Sequence, residues 1–114
     1  MKNGFVEEIH QLHADLCQAL ADPKRILILY ALSEHSLTVG ELTELLGIRQ
    51  SNVSQHLAVL RDRGLVASER DGTSIHYSLK YPMVIEALDQ LRGVLKEKLN
   101  DTRQHADRLM EIVK

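Results

Sequence analysis

At 114 residues, 44% of them apolar and 26% charged, the chain is sized for one domain, 1–114, that gains much from association with a partner. No apolar run approaches the roughly 20 residues that span a bilayer, and Met1-Lys2-Asn3-Gly4 does not open a secretory leader, so a cytoplasmic location is expected. A single cysteine, Cys17, rules out an internal disulfide framework, and a net charge of -2 excludes a protein that holds nucleic acid by bulk charge alone.

Phe5, Ile9, Leu12, Leu16 and Leu20 recur at three- and four-residue spacing and form the apolar face of a first helix. Beside that face His10, His13 and Cys17 fall within about 60° of one another on a regular helix. Imidazole and thiolate groups suit zinc or copper, with Asp101 or His105 from a partner's last helix as completing ligands. The alternative is a Cys17 that packs as a small apolar side chain beside two surface histidines. Asp22-Pro23 then supplies an N-cap and an N1 proline for a second helix, Lys24 to Leu32.

From Leu37 to Leu46 the apolar Leu42, Leu45 and Leu46 predict a short helix closed by Gly47, which can take the left-handed conformation. The chain restarts at Gln50 or Ser51 after only a few residues, the spacing of a helix-turn-helix. In this second, recognition helix, about 50–63, Val53, Leu57 and Leu60 lie at i, i+4 and i+7 on a buried stripe. Ser51, Gln55 and Ala58 project oppositely, with Gln50 and Ser54 on one flank and Asn52 on the other. Amide and hydroxyl groups dominate that face, and these are the groups that match base edges in a major groove. A solvated face would more usually pair Glu with Lys. Gln50 and Gln55 can read adenine bidentately, Ser51 and Ser54 can serve bases or phosphates, and Arg49 and Arg61 flank them. His56 lies nearer the buried stripe, so packing or a phosphate contact is expected of it. Gly64 ends the helix.

Leu65 to Lys80 reads as a β-hairpin wing, about 65–80: Ile75, Tyr77 and Leu79 alternate, and Asp71-Gly72 is a hairpin signal. Arg70, beside the tip, is placed to reach a minor groove or phosphates. After Pro82, Leu88, Leu91, Leu95, Leu99, Thr102, Ala106, Leu109 and Val113 continue one stripe over a helix of about 82–113, far longer than average. Such a stripe exceeds what so small a domain covers, so a dimer through the first and last helices is expected; a frayed monomeric tail is the alternative. The fold expected is mainly α with a small β-hairpin (α+β): a winged helix-turn-helix of five helices. From Arg49 to Lys80 five cations face three anions, an excess of two, and the rest of the chain carries minus four, so the positive excess lies on the expected DNA-contacting half.

Ala21-Asp22-Pro23-Lys24-Arg25-Ile26-Leu27-Ile28-Leu29, Leu37 to Leu46, Gln50-Ser51-Asn52-Val53-Ser54-Gln55-His56-Leu57, Leu60-Arg61-Asp62-Arg63-Gly64-Leu65-Val66 and His76-Tyr77-Ser78-Leu79 together resemble the arsenic-repressor (ArsR/SmtB) family, over roughly Leu16 to Leu79. The resemblance implies a homodimeric bacterial or archaeal transcription regulator that binds operator DNA, often as a repressor, and answers a metal, metalloid or thiol-reactive signal. Two recognition helices held about 34 Å apart imply an inverted-repeat operator. Family cysteine ligands at the start of the third helix fall here on Thr38 and Gly40. The carboxylate and imidazole ligands of the family's last-helix site fall on Tyr81, Met83, Val94 and Glu97, and the cysteine of its thiol-sensing members in the second helix falls on Tyr30. Of these only Glu97 can ligate zinc, so neither inducer nor cofactor is legible. Because a fold alone does not fix function, a winged-helix protein-interaction module is the competing reading. No nucleophile, base and orienter come together in the sequence, so an enzyme is not expected.

Overall fold

The computed structural model describes residues 2–113, which divide into two compact units after Pro82. The first unit opens with α1 (Asn3–Leu12), which runs into a π turn at His13–Cys17 and a 3₁₀ turn at Ala19–Ala21. Gln18 N–H donates to the His13 carbonyl at 3.1 Å, the five-residue step of a π turn. The first helix is therefore not regular, as the sequence reading assumed, and the 100° spacing that grouped His10, His13 and Cys17 does not carry through it. Nothing in α1 is buried: Phe5, Ile9 and Leu12 are each more than 40% exposed.

Asp22 caps α2 (Pro23–Ala31) by accepting the Lys24 N–H at 2.7 Å, with Pro23 at the first helical position, as the Asp-Pro pair predicts. Leu37 and Thr38 do not belong to the next helix. They form a short strand β1 (Leu37–Thr38), and Thr38 is the N-cap of α3 (Val39–Leu46). The Thr38 hydroxyl accepts the Glu41 N–H at 3.2 Å, and the Thr38 N–H donates to the Glu41 carboxylate at 3.0 Å. This capping box satisfies two otherwise orphaned donors. The Thr38 backbone N–H, and after it the Thr38 hydroxyl, hold the Glu41 carboxyl below its ordinary value. Gly47, with φ of 66°, closes α3 in the left-handed region, and α4 (Gln50–Asp62) begins three residues later.

The core sits where these helices meet: Ile28 and Leu29 from α2, Leu42 from α3, and Val53, Leu57 and Leu60 from α4 are all fully buried. Beside it lies an antiparallel sheet in the order β1-β3-β2, with β2 (Val66–Asp71) and β3 (Ser74–Leu79) as the wing. The sheet has one strand more than the expected hairpin, because Leu37 pairs with Tyr77 and Thr38 with His76. Asp71 pairs with Ser74, so the hairpin loop is Gly72-Thr73 rather than Asp71-Gly72. Gly72 alone in that loop has positive φ, 64°, the pattern of a II′ turn with glycine first. Tyr77 is buried while Ile75 is 38% exposed, so the alternation fades toward the wing tip.

The second unit is α5 (Met83–Val113), a single helix of 31 residues. Leu91, Val94, Leu95, Leu99 and Leu109 are all at least half exposed. Among the described residues no helix is long and apolar enough to cross a membrane.

Candidate nucleic-acid interface

Helix α4 presents its polar residues as its angular pattern requires. Gln50, Ser51, Ser54 and Gln55 are exposed, Asn52 and Ala58 are half-buried, and the opposite stripe is sealed in the core. Arg49 is the N-cap of α4; its guanidinium, which has no acceptor to offer the helix N–H groups, is exposed and makes no hydrogen bond or ion pair among the described residues. Arg61 and Arg63 are exposed at the other end; Arg63, which the sequence reading left out of the site, joins it there. Arg70 lies on β2 opposite Ile75, exposed beside Glu69 and Asp71, and borders a cleft of about 360 Å³ with Ser36 and His76. Among the described residues none of Arg49, Arg61, Arg63 and Arg70 is in an ion pair. Three exposed guanidinium groups at the two ends of α4 and one on the wing are thus available to an anionic partner.

His56 is different. Its side chain is only 15% exposed and turns toward α2, as its place near the buried stripe implied. Arg25 Nη1 stands 3.3 Å from His56 Nδ1. Arginine only donates, so Nδ1 is the acceptor in this contact, and Nε2 on the other side of the ring faces Asp22 Oδ2 at 4.0 Å. The Asp22 carboxyl is held below its usual range chiefly by the Lys24 backbone N–H; desolvation opposes this, and the neighbouring His56 and Arg25 add smaller lowering contributions. Arg25 was not singled out as a site residue from sequence, although a cation three residues after an N-cap aspartate was a readable signal.

The sensing candidates fare differently again. Among the described residues no three His, Cys, Asp or Glu side chains converge as a metal requires, so His10, His13 and Cys17 do not form a ligand set within one chain. All three are exposed. At the metal positions implied by the resemblance, the Thr38 polar atoms are consumed by the capping box, Gly40 has no side chain, and Met83 and Val94 offer exposed apolar groups. Of the implied positions only Glu97 carries a zinc-ligating side chain, so together they do not fit the metal sites of the family.

The family model for bacterial regulatory proteins of the arsR family matches residues 22–68, which run from the Asp22 cap through the polar face of α4 into β2. A Mycobacterium tuberculosis protein described as the uncharacterized HTH-type transcriptional regulator Rv0081 is 43% identical over 96 residues, 83% of this chain and 84% of that protein. The chain belongs to the arsR family. As an arsR-family protein it is a winged helix-turn-helix transcriptional regulator, and solved structures agree. The crystal structure of Rv0081 superimposes with a TM-score of 0.72 at 42% identity, covering 82% of this chain and 94% of that one. The transcriptional repressor BigR from Xylella fastidiosa gives 0.67 at 32% identity, covering 80% and 96%. A winged helix-turn-helix DNA-binding domain from Mycobacterium bovis, solved as a homodimer, gives 0.73 at 25% identity, covering 89% and 93%.

Proposed function

We propose that this arsR-family regulator is a cytoplasmic homodimeric repressor that lays α4 of each protomer into successive major grooves of an inverted-repeat operator. The observation that carries the reading is the exposed face of Gln50, Ser51, Ser54 and Gln55, with half-buried Asn52 at its flank and unpaired arginines at both ends. Side-chain amides present donor and acceptor together, as an adenine edge demands, and the guanidinium groups of Arg49, Arg61, Arg63 and Arg70 take phosphates. The dimer interface is read from α1 and α5, whose apolar stripes remain exposed in the single chain. The functional domain is the whole chain, 1–114, because the two DNA-reading units need the last helix to hold their spacing. A small inducer that alters the dimer would misplace one helix and release the DNA.

The test is a titration of labelled duplex from the gene's own upstream region, with a scrambled duplex as competitor, for the protein and for Gln55→Ala. Preference for the native duplex that collapses in the variant supports the reading. Equal binding to both duplexes, or none, transfers the fold to a protein-interaction role. Repeating the titration with zinc, copper, arsenite and a thiol oxidant identifies the signal class by which of them releases the duplex.

A further inference from the structure

Arg25 spans three pieces of the first unit with one side chain. Its Nε donates to the Ala19 carbonyl at 2.6 Å, its Nη2 to the Gln18 carbonyl at 3.2 Å, and its Nη1 to His56 Nδ1 at 3.3 Å. The first two acceptors lie at the end of the first helix, where the π turn gives way to the 3₁₀ turn. The third lies in the recognition helix, between Gln55 on the exposed face and Leu57, which is fully buried. A planar fork of five donors holds all three acceptors in one fixed geometry, which a flexible ammonium group cannot do. Asp22 closes the arrangement from the other side, its carboxylate 4.0 Å from His56 Nε2 while it caps the helix that carries Arg25.

We propose that Arg25 is a positioning residue for DNA recognition: through Gln18, Ala19 and His56 it sets the placement of α4 against the end of the first helix. The proposal rests on α4 being the DNA-reading element. It gives a displacement at the first helix a hydrogen-bonded route to the helix face that carries Gln55. Packing of Leu57 alone fixes depth; the Arg25–His56 contact adds a constraint on rotation and slide, because it is directional. Arg25 acts through His56 and the two carbonyls, not by touching the bases.

Operator affinity, its salt dependence and the dimer constant are measured for Arg25→Gln, His56→Leu, the double variant and His56→Asn, with Gln55→Ala as reference. Arg25→Gln and His56→Leu are each expected to weaken operator binding about tenfold, or about 1.4 kcal/mol. The double variant should lose no more than the worse single one, since both break one contact. His56→Asn, whose Oδ1 falls where Nδ1 was, should retain most of the affinity. The salt slope should stay unchanged, whereas a lost direct phosphate contact would lower it by about one.

Additive losses, a reduced slope, or unchanged affinity in both single variants would overturn the proposal while Gln55→Ala still abolishes discrimination. If Gln55→Ala leaves discrimination intact, the reading of α4 fails and the proposal fails with it. Should Arg25→Gln not fold, the contrast between His56→Leu and His56→Asn decides: equal affinity in those two refutes the contact, and better binding by His56→Asn supports it.

Discussion

Replacing Leu99 with Gln tests the dimer reading at a single side chain. Leu99 lies on the apolar stripe of α5 and is 62% exposed in the single chain, so a partner can cover at most about six-tenths of it. Complete burial of a leucine is worth about 1.5–3 kcal/mol, which leaves at most about 0.9–1.9 kcal/mol for each copy. A two-fold axis counts the change twice, so the dimer loses about 2–4 kcal/mol and its dissociation constant rises roughly 30- to 800-fold. Glutamine keeps the length and the helix propensity of leucine, so the effect is confined to the interface. Sedimentation equilibrium of the wild-type and variant proteins reads the constant directly, and the Tm of the variant should become strongly dependent on protein concentration. Leu45→Gln on α3, 64% exposed but off both stripes, is the control and should leave the dimer intact. An unchanged dimer in Leu99→Gln, or equal weakening in Leu45→Gln, would refute the assignment of α5 to the interface.

Thr38→Ala removes the α3 capping box and should cost about 1 kcal/mol, read as a Tm lower by about 4 °C. Glu41 has a lowered folded-state pKa, so its contribution is full above its ordinary value of 4.5 and is lost as pH falls through the folded value. Glu41→Gln should therefore flatten the acid limb of a stability-against-pH curve, and a curve with the wild-type slope would contradict that role. At Gly47 a Cβ would meet no atom within 4 Å, so Gly47→Ala should lose only the backbone term of about 1–2 kcal/mol. Gly47→Asn should lose less, with the two variants compared by urea titration. Arg70→Ala should reduce the slope of log affinity against log salt by about 0.9 for each wing that touches a phosphate, without changing preference between duplexes.

What was legible in the sequence was whatever depends on short-range geometry. The buried stripe Val53, Leu57, Leu60 and the exposed Gln50, Ser51, Ser54 and Gln55 follow from the 3.6-residue period alone. The Asp22-Pro23 start of α2 and the Gly47 end of α3 follow from backbone chemistry. The misses share a different cause. β1 is only two residues long, and its strand character comes from the pairing of Leu37 with Tyr77 and of Thr38 with His76, forty and thirty-eight residues away in the chain. Nothing in Leu37-Thr38 alone announces that partner. Thr38-x-x-Glu41 was nonetheless a readable capping box, and it would have moved the helix start to Val39. The π turn at His13–Cys17 is likewise set by five-residue backbone hydrogen bonds, such as that from Gln18 N–H to the His13 carbonyl, and a constant 100° step cannot anticipate it. Arg25 escaped because its role depends on acceptors six residues back and thirty-one residues ahead.

The net charge of -2 and an operator-binding role are reconciled by pairing rather than by total. Acidic side chains are more numerous than basic ones in the chain as a whole, yet Arg49, Arg61, Arg63 and Arg70 have no carboxylate within ion-pair distance among the described residues. An unpaired arginine meets a phosphate without first breaking a protein contact. On the proposed reading two protomers would double these groups toward the DNA, while the anionic excess lies outside the stretch from Arg49 to Lys80. Counterion release scales with the phosphates neutralised, so a few arginines for each protomer produce a modest non-specific affinity. Modest non-specific binding favours discrimination, because the useful quantity in a genome is the ratio between operator and competing sites. If α4 reads the operator as proposed, its uncharged amides would carry a large share of that ratio, and loss of Gln55 should then matter more to specificity than loss of any one arginine.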